Sequence, residues 1–320
     1  MTIDRRIFLA GLAPLALAAC HQGAATSLDP AAYPQKDITF IIPEGAGGGV
    51  DINARFLAAA MAKALPHRVH IVPINVASGG GGKGIAQLYR APPDGYTIGI
   101  INLGGIFALQ RVRHMPYDFT KFAWFGTVSK GDNYAIGVST RSPIKTYADL
   151  VALSKTRPVT FTATGPDGSG YVATTIGTQL LGLNARMVTG YKSSTDYLVG
   201  AMRGDADAVI GAITNLKHMK GQLRIIASFE KHSSVPGIPD ATTLGQPELT
   251  DVMALRALTA PPGTPQHILD LLEAALAVAS KDKKFVTWAK RNDEPIQLRS
   301  ADETVEAVMR RKALVDRWYR

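Results

Sequence analysis

The chain has 320 residues, 46% of them hydrophobic and 19% charged, with 35 basic against 26 acidic side chains and a formal charge of +9. That length holds two domains of ordinary size, and that balance excludes a disordered chain. Seven histidines in no ligand spacing exclude a recognisable metal motif, and a single cysteine excludes an internal disulfide. The chain opens with Arg5-Arg6, an apolar stretch over 7–19 and then Cys20. A charged start, a short apolar run and small residues before a cut site describe an export signal. The run of thirteen residues is too short for a membrane-spanning helix, which needs roughly 20.

Leu17-Ala18-Ala19-Cys20 resembles the lipobox of bacterial lipoproteins, and Asp4-Arg5-Arg6-Ile7-Phe8-Leu9 resembles a twin-arginine signal. The expectation is a signal peptide over 1–19, acylation of Cys20 and anchorage to a lipid bilayer in the periplasm. An ordinary signal peptide with a chance cysteine is the alternative. Residues 20–32 lack periodicity and read as a tether. Export removes most cytoplasmic enzyme chemistry and genomic nucleic-acid binding, and the scattered aromatics form no stacking platform beside basic runs. Removing 1–19 takes away two arginines and one aspartate, so the charge falls from +9 to +8. A positive exported protein suits anionic small molecules or surfaces, although such charge also serves solubility alone.

From Asp37 strands and helices alternate. The apolar run 38–42, closed by Pro43, predicts a buried strand. A glycine-rich turn follows, and Asp51 is placed to cap a helix carrying Ile52, Phe56, Met61 and Leu65. Further strands are expected over 69–72, 96–101, 134–138, 159–162, 186–188, 208–210 and 224–227. Further helices are expected over 85–90, 146–154, 171–181, 195–202, 265–280, 285–291 and 301–318. This rhythm implies an α/β fold with parallel sheets and a ligand at the strand C-terminal ends.

Three glycine-rich turns invite chemical readings. Gly45-Ala46-Gly47-Gly48-Gly49 lies between a buried strand and a helix start, where open backbone amides can hold an anion. In Ser78-Gly79-Gly80-Gly81-Gly82-Lys83-Gly84, Ala77 and Gly84 stand where a phosphate loop needs Gly and Ser or Thr. Gly79, Gly81 and Gly84 fit G-x-G-x-x-G, but no acidic residue follows about 20 positions on, so no nucleotide cofactor is expected. Gly165-Pro166-Asp167-Gly168-Ser169-Gly170 is not G-x-S-x-G, which makes Ser169 a poor nucleophile and the turn a second anion-binding candidate.

Together the motifs Ile42-Pro43-x-x-Ala46-Gly47-Gly48-Gly49-x-Asp51-x-x-Ala54-Arg55, Pro92-Pro93-Asp94-Gly95-Tyr96-Thr97 and Ala260-Pro261-Pro262-Gly263-Thr264-Pro265 resemble the Bug-type periplasmic solute-binding proteins of tripartite tricarboxylate transporters. Tyr33-Pro34-x-Lys36, Met115-Pro116-Tyr117-Asp118, Gly190-Tyr191-Lys192, Leu223-Arg224-Ile225-Ile226-Ala227 and Pro239-Asp240-Ala241-Thr242-Thr243 extend the likeness over nearly the whole mature chain. The resemblance implies a two-lobed, type II-like periplasmic binding protein with a hinge and an interlobe cleft. Lobe 1 is expected over 33–129, lobe 2 over 130–252, and a return to lobe 1 over 253–320. It implies a monomer without catalysis, cofactor or metal, working with membrane permease subunits and not with nucleic acid.

The resemblance assigns ligand contacts to the first turn, Glu44, Gly45, Ala46, Gly47, Gly48, Gly49 and Asp51, and to Asn102 and Gly104 at a strand end. In the second lobe it assigns them to Thr164, Gly165, Asp167, Gly168 and Ser169. Three departures stand out: Glu44 where the family has an aromatic or apolar residue, Val172-Ala173 in place of His-Leu, and Leu255-Arg256-Ala257 in place of a segment with Trp and Gly. If Glu44 faces the cleft it repels an anion, and it then pairs with Arg256 or with an amino group on the ligand. The ligand expected is a small organic acid or an amino- or amide-bearing carboxylate. A sensor docking on a membrane signalling partner, and a secreted hydrolase using Ser169, are the rival readings.

Overall fold

Ile38-Thr39-Phe40-Ile41-Ile42 has no polar alternation, and as β1 (Ile38–Ile42) it is buried between helices on both faces. The computed structural model describes residues 33–319 except 48, 79–80, 106, 109, 111–114, 167, 192 and 293. The signal, tether and Cys20 expectations lie outside the described residues. Around β1 a six-stranded sheet runs β12-β4-β11-β3-β1-β2, built from β2 (Ile71–Asn75), β3 (Thr97–Asn102), β4 (Ala123–Ser129), β11 (Arg256–Ala260) and β12 (Ile296–Arg299). Helices α1 (Gly49–Ala62), α7 (Gln266–Ala279) and α8 (Lys283–Arg291) cover one face, where Phe40, Leu57, Leu272 and Phe285 are buried together. Helix α2 (Gly82–Arg90) packs on the same sheet through Ile85 and Leu88, which share a core with Ile41, Phe107 and Phe119.

The second sheet runs β10-β5-β8-β6-β7, with β9 also paired to β5. Its strands are β5 (Asp132–Ser139), β6 (Val159–Thr162), β7 (Ala185–Val188), β8 (Ala208–Ala212), β9 (Leu223–Ser228) and β10 (Met253–Ala254). Its helices are α3 (Tyr147–Thr156), α4 (Ser169–Leu180), α5 (Ser194–Arg203) and α6 (Ile213–His218). Thr146 and Ser193 cap α3 and α5, each accepting from a backbone N–H three residues on.

The expectation of parallel sheets needs correction. β1, β2 and β3 are parallel, as are β6 with β7 and β8, but β11 runs antiparallel to β3 and β4, and β5 antiparallel to β8 and β9. The antiparallel strands are those adjoining the two places where the chain passes between lobes. It crosses from β4 through Lys130-Gly131 into β5 and comes back from β10 into β11. Gly131 has φ +89, and a Cβ there would lie 2.5 Å from Met253 Sδ, so only glycine lets the crossings abut. Residues 253–254 pair with β5, so they belong to the second sheet rather than to the return segment.

The C-terminal helix α9 (Ala301–Trp318) fastens the lobes at the back. It packs on β4 of the first sheet and on α4 of the second lobe. Its Arg311 is 5% exposed and donates from Nη1 to the Met253 carbonyl at 2.5 Å, and the following Tyr319 donates to the Pro166 carbonyl at 2.6 Å.

Candidate functional site

A cleft of about 820 Å³ opens between the two sheets, and both lobes line it. On the lobe 1 side, sheet register sets the wall. Because β11 is antiparallel to β3, its first residue, Arg256, stands directly opposite the last residue of β3, Asn102. Glu44, just past the end of β1, joins them at the same sheet edge. Burial pushes the Glu44 carboxyl above its ordinary range, while Arg256 and the Asn102 side chain pull it back. Arg256 forms a close ion pair with Glu294, which also accepts from Asn53 Nδ2 at 3.3 Å. A Cβ on Gly49 would lie 3.4 Å from Arg256 Nη2, so the guanidinium sits against the N-terminus of α1.

On the lobe 2 side Asp132 opens β5 and accepts from the hydroxyl and the backbone N–H of Thr214, at the start of α6. Burial raises its carboxyl, opposed first by Thr214 and then by Arg256. Tyr134 follows on β5, opposite Ala212, with its hydroxyl beside Ser169. Tyr197 on α5 is 3% exposed yet lines the cleft. Lys130, Lys217 and Lys290 stand at the rim, with Lys217 Nζ donating to Ser234 Oγ at 2.6 Å.

The structure brings four of the sequence candidates to this cleft with their side chains: Glu44, Asn102, Ser169 and Arg256; Gly49 contributes backbone. Gly45, Ala46 and Gly47 are exposed and do not line it. Gly48 and Asp167 lie outside the described residues. Asp51 is neither a helix cap nor a cleft residue. It sits inside the first turn of α1, 3% exposed, and accepts from Gly47 N (2.9 Å), Arg55 Nε (2.9 Å) and Asn75 Nδ2 (2.9 Å). The hydrogen bond from Arg55 leads these partners in holding its carboxyl down at about 2. Asp51 therefore ties the glycine turn to the helix and to β2.

The second-lobe turn also folds on itself. Gly168 N donates to the Gly165 carbonyl at 2.8 Å, and a Cβ on Gly168 would fall 1.8 Å from the buried Thr164 Oγ1. Thr164, Gly165 and Gly168 thus shape the turn, and Ser169 reaches the cleft alone. Gly104 is an interlobe contact: a Cβ there would lie 3.1 Å from Ser169 Cβ. Among the described residues no hydrogen bond joins a histidine to Ser169, and His218 is the histidine that lines the same cleft. The residues that sequence reasoning missed are Asp132, Tyr134, Tyr197, Thr214 and Glu294. Asp132 opens β5, Thr214 lies in the first turn of α6 and Glu294 between α8 and β12; none of the five lies in a motif, and the Gly131 crossing beside Asp132 is the one local signal that pointed there.

The geometry is that of two lobes around one cleft, and comparison with known proteins agrees. Residues 53–317 match the family described as tripartite tricarboxylate transporter family receptor. The chain belongs to that family. It is 29% identical over 262 residues to a UPF0065 protein from the ttuE-ttuC' intergenic region of Agrobacterium vitis, covering 79% of this chain and 74% of the relative. It is 25% identical over 308 residues to BugT of Bordetella pertussis, covering 92% and 91%. Among solved structures, a TctC solute-binding protein from Polaromonas superposes with TM-score 0.73 at 19% identity, covering 89% of this receptor and 99% of the other chain. MatC from Rhodopseudomonas palustris, solved with malate, gives 0.69 at 22%, covering 88% and 100%. A second R. palustris protein, solved with adipate, gives 0.70 at 23%, covering 90% and 96%. At these identities the structures establish the shared two-lobed fold of the receptor.

Proposed function

We propose that this receptor is an extracytoplasmic solute-binding protein that captures one small carboxylate-bearing ligand between its lobes and delivers it to a membrane permease. The observation that carries the reading is the polar cleft of about 820 Å³, lined by both lobes and reached by Arg256, in a chain of this family. A volume of this order suits one small molecule. The malate and adipate of the two R. palustris structures support a carboxylate on the ligand. Capture needs no chemical step: the lobes close on the ligand about the crossings at 130–131 and 254–255. The mature protein starts at an acylated Cys20 after export by the twin-arginine route, and the tether over 20–32 leaves the body free to meet its permease.

A thermal-shift screen of carboxylates, amino acids and aromatic acids tests the reading. A ligand at 100 times its dissociation constant stabilises the fold by about 2.7 kcal/mol, a clear upward shift in melting temperature. Finding no stabilising compound, with calorimetry equally flat, overturns it. The anchor is tested separately: Cys20→Ala releases the protein from membranes, and an intact thiol on a wholly soluble native protein ends that part of the reading.

A further inference from the structure

The charge inside the cleft does not match a purely anionic ligand. Glu44, Asp132 and Glu294 all line it, and one guanidinium, Arg256, stands among them. That guanidinium is engaged by Glu294 in a close ion pair. Glu44 comes from lobe 1 and Asp132 from lobe 2, and both feel Arg256 as a neighbouring charge. Tyr134 lies near both carboxyls as well, so the two acids face a common space. The lysines of the cleft stand on the rim, and Glu230, the fourth acid of the lining, is bound by the backbone N–H and hydroxyl of Ser234, each at 2.8 Å, much as Asp132 is by those of Thr214, but nothing places Glu230 beside Arg256.

A second observation points into the same space. Tyr197 is more than nine-tenths buried, yet it lines the cleft. It feels Asp132 and Tyr134 as neighbours. Two acids that share one guanidinium and a phenol thus neighbour one another along the cleft. A plain dicarboxylate placed there meets like charge at short range.

We propose that the ligand carries a protonated amine beside its carboxylate, and that the ammonium seats between Glu44 of lobe 1 and Asp132 of lobe 2, with the Tyr197 hydroxyl as a further acceptor. The inference rests on the receptor reading above and names the ligand class of that same cleft. An ammonium offers three donors and no acceptor, which suits two carboxylates and a phenol. Because the two acids belong to different lobes, the ammonium also draws the lobes together on closure. The carboxylate end of the ligand then points away from the acids, toward the rim lysines.

The test uses matched probes on the full mature protein by calorimetry: succinate, malate and aspartate in one set; adipate, 6-aminohexanoate and 1,6-diaminohexane in the other. The amine-bearing acid of at least one set is expected to bind roughly tenfold or more tighter than its plain dicarboxylate. Glu44→Gln and Asp132→Asn are each expected to weaken that amine about tenfold while leaving the dicarboxylate unchanged or tighter, with circular dichroism and melting temperature unaltered. Tyr197→Phe is expected to weaken the amine by a smaller factor. If the dicarboxylates bind as tightly as the amines, or the variants weaken both kinds equally, the inference is overturned and the receptor reading stands. If only the diamine binds, the ammonium seat stands and the carboxylate part of the receptor reading falls. If neither these probes nor a wider set of amino, aromatic and organic acids binds, the receptor reading falls and this inference with it.

Discussion

Glu44 and Asp51 sit on one turn, seven positions apart, and live in opposite environments. On the outer side Asp51 is enclosed by donors from Gly47, Arg55 and Asn75. On the inner side Glu44 shares a single guanidinium with two other acids. The first carboxylate is held charged and the second is pushed toward its neutral form. A carboxylate's role follows from its donors: one saturated by the fold serves stability, and one left short serves recognition.

Four measurements can break or sharpen this contrast. Asp51→Ala should have the largest effect, since it leaves Gly47, Asn75 and Arg55 without their acceptor. A loss of about 3 kcal/mol is expected, read as a lower urea midpoint at unchanged m-value. Wild-type stability in this variant would mean that the turn holds itself and the outer side is not structural.

Next comes Arg256→Met, which strips the inner side of its cation and leaves Glu294 in the cleft with Glu44 and Asp132. The pair is partly solvated, with side-chain exposures of 21% and 24%, so the expected loss is about 1–2 kcal/mol rather than the 3–5 of a fully buried pair. The variant should also regain stability on acidification, as the three acids take up protons. A flat response would show that the acids do not sense one another.

Glu44→Gln should barely move stability, within about 0.5 kcal/mol and in the stabilising direction, because no saturated network is lost. A destabilisation as large as that of Asp51→Ala would erase the distinction between the two sides.

The smallest effect is in the pH dependence, where the two carboxyls have opposite signs. Asp51 is lowered from 3.8 to about 2, so its contribution is present above pH 3.8 and fades as pH falls toward 2. Glu44 is raised from 4.5, so its contribution is present below pH 4.5 and is lost as pH rises through the raised value. Melting curves from pH 2 to 8 should show Asp51→Asn flattening the acid limb and Glu44→Gln flattening the decline above pH 4.5. Exchange of the two signatures would overturn the assignment of sides.

Much of the fold was legible in local pattern, because the β-branched and apolar runs at 38–42, 159–162 and 208–210 are short, buried and bounded by turn residues. The strand 159–162 and the helix 301–318 match at both ends. The strands β4, β10, β11 and β12 were not read. Ala123-Trp124-Phe125-Gly126 carries a glycine at φ +142, and Arg256-Ala257-Leu258-Thr259-Ala260 has little β-branched character, so both are strands because neighbours pair with them. Two glycine-rich turns were visible as anion candidates, yet only the tertiary structure turned Asp51 and Thr164 inward to their own turns and left Glu44 and Ser169 on the cleft.

The sequence by itself determined the α/β alternation, the family and the presence of an acid at position 44. Only the tertiary structure decided what that acid faces. Asp132 and Glu294 come from segments 162 positions apart, and Tyr197 from a helix between them, with no motif linking the three. They meet because two sheets close on one space, and burial, charge balance and hydrogen-bond supply are properties of that space rather than of any stretch of chain.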